Sequence, residues 1–177
     1  MNRITKFLAW LCIITCCLSC VGCEKKAEPQ PILKVITSSQ IGVTIFSYKR
    51  YYAIYDNGKK KKIPEFSPSE VIGYAFNPDA EEKDVPYLHL VDIDTEEGAE
   101  LNNIAKNIVN LTTKNEDNNV FSPGKLRIIN NHYYFTALLE KDRDSIINGL
   151  FEYYLSDNSF IKIATFSSSI THVEAYQ

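Results

Sequence analysis

Five cysteines, three histidines, a run of four lysines and one cluster of acids are the residues of this chain with chemistry to offer, and their spacing restricts what that chemistry can be. The cysteines, Cys12, Cys16, Cys17, Cys20 and Cys23, all fall in the first 23 residues, and the 154 residues that follow have none. Thiol catalysis and disulfide bonding are therefore confined to an N-terminal apolar segment. His89, His132 and His172 stand far apart, with neither a second histidine nor a cysteine at zinc-ligand spacing. Asp92, Asp94, Glu96 and Glu97 suggest calcium, but counted from Asp92 a glycine falls seventh rather than sixth, and position twelve is Asn103. Acids placed where a helix begins complement its dipole and cap its free amides, which is the simpler account. Gly-x-Ser-x-Gly is absent, Ser167-Ser168-Ser169 reads as a polar turn, and the glycines are too widely spaced for a phosphate loop. No metal or cofactor is expected, and no catalytic residue is assigned.

The cysteines acquire meaning from their surroundings. Arg3 and Lys6 precede an apolar stretch from Phe7 to Val21, which ends in small residues before Glu24-Lys25-Lys26. A basic start, an apolar middle and a small-residue close are the parts of an export signal. The stretch is shorter than the roughly 20 residues a membrane-spanning helix needs. Val21-Gly22-Cys23 resembles the lipobox of bacterial lipoproteins, with Cys20 where that family usually has leucine. The resemblance implies a lipid thioether on Cys23, which becomes the mature N-terminus; Leu18-Ser19-Cys20 is the alternative, with Cys20 as the modified residue. It further implies a protein held in the cell envelope, with Glu24 favouring the periplasmic face of the outer membrane in a host that has one. The expected organisation is residues 1–22 as signal peptide, 23–31 as lipidated end and tether, and 32–177 as one β-rich globular domain.

Beyond Cys23 the chain carries 17 basic and 22 acidic residues, a formal charge of −5. Nucleic acid is a poor partner for such a chain, because non-specific binding depends on neutralising phosphates. With no disulfides available, stability has to come from burial, and 11 Tyr and 9 Phe supply the material.

Alternation and turn residues outline the elements that must position these groups. Leu33 to Thr37 and Ile41 to Tyr48 read as strands about a turn at Ser38-Ser39-Gln40. Arg50 to Asp56 and Lys59 to Ile63 flank Asn57-Gly58, which favours a type I′ hairpin. Val71 to Phe76 and Tyr87 to Ile93 are two further expected strands. A helix follows, its start marked by Asp94 and Glu97 as a capping-box-like pair and its apolar stripe by Leu101, Ile104, Ala105, Ile108 and Leu111. After Ser122-Pro123-Gly124 come Lys125 to Ile129, an Asn130-Asn131 turn, His132 to Glu140, Gly149 to Leu155, Phe160 to Phe166, and an edge strand from Thr171 to Tyr176. Strands, one helix, then strands again predict an α+β fold, a mostly antiparallel sheet of hairpins and meander with one central amphipathic helix.

Two surface features are candidates for interaction. Lys59, Lys60, Lys61 and Lys62 could face anionic headgroups or an acidic protein, or could guard a sheet edge against aggregation. Tyr51, Tyr52 and Tyr55 belong to a tyrosine-rich region; on a sheet covered on one face only, some of those rings would be exposed as interface anchors. The absence of every compact catalytic motif points to a noncatalytic module that binds another envelope protein. By size and architecture the chain resembles exported immunity lipoproteins, which would make the partner a toxin. A small-ligand or enzymatic alternative predicts that Asp92 or His89 converges with other polar groups in a concave site, and a structural envelope component is a third reading.

Overall fold

The computed structural model describes residues 28–40, 47–80, 85–114, 120–142 and 145–177. Cys20, Cys23 and the expected strand from Ile41 lie largely or wholly outside them. The described chain is mostly antiparallel β-sheet with one helix, an α+β arrangement.

Nine strands divide between two sheets. The smaller contains β1 (Pro31–Gln40), β2 (Ser47–Tyr55), β3 (Lys60–Lys62) and β9 (Ser169–Ala175), in the order β3-β2-β1-β9. The larger contains β4 (Gly73–Ala75), β5 (Val120–Ile129), β6 (His132–Asp142), β7 (Ser145–Tyr154) and β8 (Ser159–Phe166), in chain order. The helix α1 (Glu96–Lys114) lies between β4 and β5 in sequence.

Alternation explains the layering. One face of β6 and β7 presents Phe135, Ala137, Leu139, Phe151 and Tyr153, and these pack with Leu101, Ile104, Ala105 and Ile108 of the helix. Phe160 meets Phe135 and Phe151 edge-on, each at 5.5 Å between centroids, while Phe135 and Phe151 stack at 5.0 Å. The opposite face contributes Ile129, Tyr134, Leu150, Ala164 and Phe166, which bury against Leu33, Val35, Ile54 and Val173 of the small sheet. The large sheet is thus covered on both faces. Tyr134 of β6 and Tyr153 of β7, which point to opposite sides of the sheet, are both buried for that reason.

Several sequence expectations need correction. Ser38-Ser39-Gln40 is no turn: β1 runs through it, paired with Ser47 to Lys49. The β2–β3 hairpin forms, but only Gly58 has positive φ, at 76°. Gly58 N donates to Tyr55 O and Tyr55 N to Lys59 O, each at 2.9 Å. That is a turn closed by a glycine bulge rather than type I′, which needs positive φ at both central residues. Asn130 and Asn131 do both have positive φ, 51° and 64°, as a type I′ turn requires.

The expected strand Val71 to Phe76 shortens to β4, and Tyr87 to Ile93 forms no strand beyond the single bridge Phe76↔Leu88. Leu90 turns the chain away at φ 63°. Asn102 Oδ1 accepts Tyr87 N at 2.6 Å, so the helix takes an amide of the segment while only His89 N, which donates to Ala75 O at 2.9 Å, reaches β4. Thr95, not Asp94, caps that helix: its Oγ1 accepts Gly98 N at 3.1 Å and donates to Asp92 O at 2.8 Å. Ser122-Pro123-Gly124 lies inside β5 as a register irregularity, because Pro123 has no amide to offer the ladder.

One core group is out of place energetically. Thr37, with no exposed surface, has a hydroxyl that finds no hydrogen-bond partner among the described residues. A buried, unsatisfied hydroxyl costs about 1–3 kcal/mol, while valine fills nearly the same shape. Thr37→Val is expected to leave the fold intact and raise stability by about 1 kcal/mol in urea unfolding; a loss of stability would show that the hydroxyl has a partner.

Candidate functional site

Charged side chains set singly into apolar strands are the groups with the most unusual surroundings here. Lys34 lies between Leu33 and Val35, and Glu174 between Val173 and Ala175, on strands whose register places them opposite each other. Both point to the outer face of the small sheet, where Lys34 Nζ is 2.8 Å from Glu174 Oε1. His172, two residues before Glu174 and so on the same face, brings Nε2 to 3.0 Å from Oε2. The Ser69 amide and hydroxyl donate to that same oxygen at 2.6 and 2.7 Å. The Glu174 side chain is only 4% exposed. Burial alone would push its carboxyl up, but the hydrogen bonds from Lys34, Ser69 and His172 outweigh it and hold the group at about 2.

Ser69 belongs to the connection from β3 to β4, which crosses the outer face of the small sheet as a strap. The Tyr51 hydroxyl donates to Glu65 Oε1 at 2.7 Å, and Phe66 meets the Tyr51 ring edge-on at 5.4 Å. Lys34 Nζ sits 4.9 Å from the centre of the Phe66 ring. Ile36 and Ala53, on the outer side of their strands, are buried in this region. The network is thus a latch.

A second group sits at one end of the large sheet. Glu152 Oε1 is 2.5 Å from His132 Nδ1, and the Tyr154 hydroxyl donates to Glu152 Oε2 at 3.2 Å. Tyr134 stacks on the His132 ring at 6.1 Å, and burial, with Glu152 and Tyr154 adding to it, pushes its phenol up to about 12. Across the same sheet face Arg127 is buried, and burial lowers its pKa; its Nη2 donates to Thr171 O of β9 at 3.3 Å. No carboxylate lies within 4 Å of it among the described residues. These side chains tie strands and sheets together.

The expected interaction residues separate. Tyr52 packs on Phe166 between the sheets at 5.3 Å, Tyr51 lies under Phe66, and Tyr55 is half-buried where β2 ends. Lys60, Lys61 and Lys62 form β3, the edge strand of the small sheet, and with Lys59 all four are exposed. Lys60 Nζ reaches across to donate to Thr165 O, on the free edge of β8, and lies 4.7 Å from the centre of the Phe166 ring. Lys162 of β8 joins Lys60, Gly58, Ile163 and Thr165 around a groove of about 250 Å³. Sequence reasoning missed Lys162 because nothing local marks β8 and β3 as neighbours.

His89 and Asp92 are both exposed, and neither lines a further cleft, of about 370 Å³, where Glu70, Tyr74, Glu97 and Asn130 meet Gln177. Among the described residues, no group of three or more His, Cys, Asp or Glu side chains gathers at His89 or Asp92. No family model, curated protein or solved structure matches the chain.

The latch makes a pH-dependent prediction. Because Glu174 titrates below the ordinary 4.5, its stabilising contribution is complete above that value and is lost as the pH falls toward about 2. Glu174→Gln leaves the half-buried Lys34 without its counter-charge and is expected to cost about 1–3 kcal/mol at neutral pH. Urea unfolding at pH 7 and pH 3 is expected to show a smaller difference for the variant than for the parent. Faster hydrogen exchange at the Ser69 amide in Glu174→Gln would identify the strap as the part released.

Proposed function

We propose that the chain is a membrane-anchored envelope lipoprotein that acts as a noncatalytic protein-binding module, in the manner of an immunity protein against a toxin delivered to the periplasm. The observation that carries the anchor is Val21-Gly22-Cys23 at the close of an apolar, basic-headed segment, followed at once by charged and proline-containing residues. Two or three acyl chains on one cysteine hold a protein essentially permanently, since each buried methylene adds about 0.8 kcal/mol. Such an anchor fixes location and leaves the domain's surface free for a partner.

The noncatalytic part of the reading draws on how the ionisable groups are used. Glu174, Lys34 and His172 close on one another and on Ser69, and Arg127 is directed at a backbone carbonyl. Perturbed groups at catalytic sites face a cleft where substrate can reach them. Here they are directed at the fold itself. The immunity version rests on size and architecture, so it is an analogy.

Metabolic labelling with a palmitate analogue tests the anchor: Cys23→Ala is expected to lose the label and Cys20→Ala to retain it. The reverse pattern would move the lipid to Cys20, and no label in the parent would remove the anchor altogether. Affinity capture of the tagged protein from envelope membranes tests the module. A single stoichiometric protein partner is the expected result, and its absence shifts the reading to a structural envelope component.

A further inference from the structure

We propose that the basic seam formed by Lys59, Lys61, Lys62 and Lys162 docks on anionic lipid headgroups and so fixes which side of the domain faces the membrane. This rests on the lipid anchor at Cys23 and deepens it. Three observations carry the inference.

The seam has charge to spare. All four lysines are exposed, and none has a carboxylate within 4 Å among the described residues. Lys60 is set apart because its ammonium group is already committed to Thr165 O and Phe166. Lys60 and Lys162 share the groove between the β3 and β8 edges, so Lys162 lies beside the edge strand from which Lys61 and Lys62 project to either face.

The tether emerges beside that seam. Gln30 O accepts the amide of Asp56, in the β2–β3 turn, at 2.9 Å, and Lys59 follows within the same turn. Seven residue-to-residue steps lead from Cys23 to Gln30. At roughly 3.5 Å per residue they reach at most about 25 Å. A lipid on Cys23 therefore holds the turn within that distance of the bilayer.

The rest of the chain needs the orientation. With 22 acids against 17 bases beyond Cys23, the domain as a whole is repelled by an anionic leaflet. Turning the lysines to the surface converts repulsion into attraction, and each cation close to such a surface strengthens attachment roughly five-fold. A soluble acidic protein could also recognise four lysines, but nothing holds it next to this turn as the tether would hold the membrane.

The full lipidated chain can be placed on vesicles of phosphatidylcholine alone and on vesicles containing phosphatidylglycerol, then treated with a membrane-impermeant amine-acylating reagent and mapped by mass spectrometry. Lys59, Lys61, Lys62 and Lys162 are expected to react roughly three-fold or more slowly on the anionic vesicles, with the difference erased at high salt. Lys106 on the helix and Lys125 on β5, both exposed, serve as references whose rates should not change. Equal labelling on the two vesicles, or slowing shared by Lys106 and Lys125, overturns the docking. Flotation with the neutral vesicles reports separately on the anchor, so a failed anchor and a failed docking surface give different results.

Discussion

The large sheet has apolar side chains on both faces, and the rest of the architecture follows from the need to cover each. Phe135, Phe151, Phe160 and Tyr153 on one side require the helix; Ile129, Tyr134, Leu150 and Phe166 on the other require the small sheet. Burial of that kind is worth about 1.5–3 kcal/mol for each large side chain, so neither cover is optional in a domain without disulfides. The small sheet then has an outer face of its own, on which Ile36 and Ala53 are buried. Glu65, Phe66 and Ser69 of the β3–β4 strap lie over that side, held by Tyr51, Lys34 and Glu174. Each layer thus creates the surface that the next one protects.

Where two twisted sheets stack, the edge strands leave free carbonyls at the open sides, and here both sides carry a cation directed at one. Lys60 of β3 donates to Thr165 O on β8, and Arg127 of β5 donates to Thr171 O on β9. In each case a residue of one sheet caps the edge of the other. Lone cations are costly to bury, but a carbonyl dipole partly compensates the charge while the carbonyl gains a donor. The same contacts make each open edge a poorer template for a foreign strand.

Legibility in the sequence followed the range of the interaction. The helix stripe, the Asn130-Asn131 turn and the strands β6 to β8 were readable because periodicity and turn chemistry are local. The division into two sheets was not, since alternation shows that a residue has two faces but not what covers them; the one-face cover on which exposed tyrosines depended does not hold for the large sheet, where Tyr134 and Tyr153 are buried on opposite sides. Tyr87 to Ile93 has the alternation of a strand, yet Asn102 claims its first amide and Leu90 turns the chain, a tertiary override of local pattern. The latch was hidden in another way: Lys34 and Glu174 are unremarkable until β1 and β9 are known to pair. A single charge flanked by apolar neighbours in a strand, as at Lys34, Glu152 and Glu174, is the signal that could have been followed.

The pairing of β1 with β9 sets Leu33 opposite Ala175, joining the first and last strands of the described fold. Contacts between such distant parts of a chain are slow to form, because a long loop must close before they stabilise anything. The small sheet and the Glu174 latch therefore stay incomplete until the final strand is present. Until β9 pairs, Lys34 has no counter-charge and β1 has no neighbour on that side.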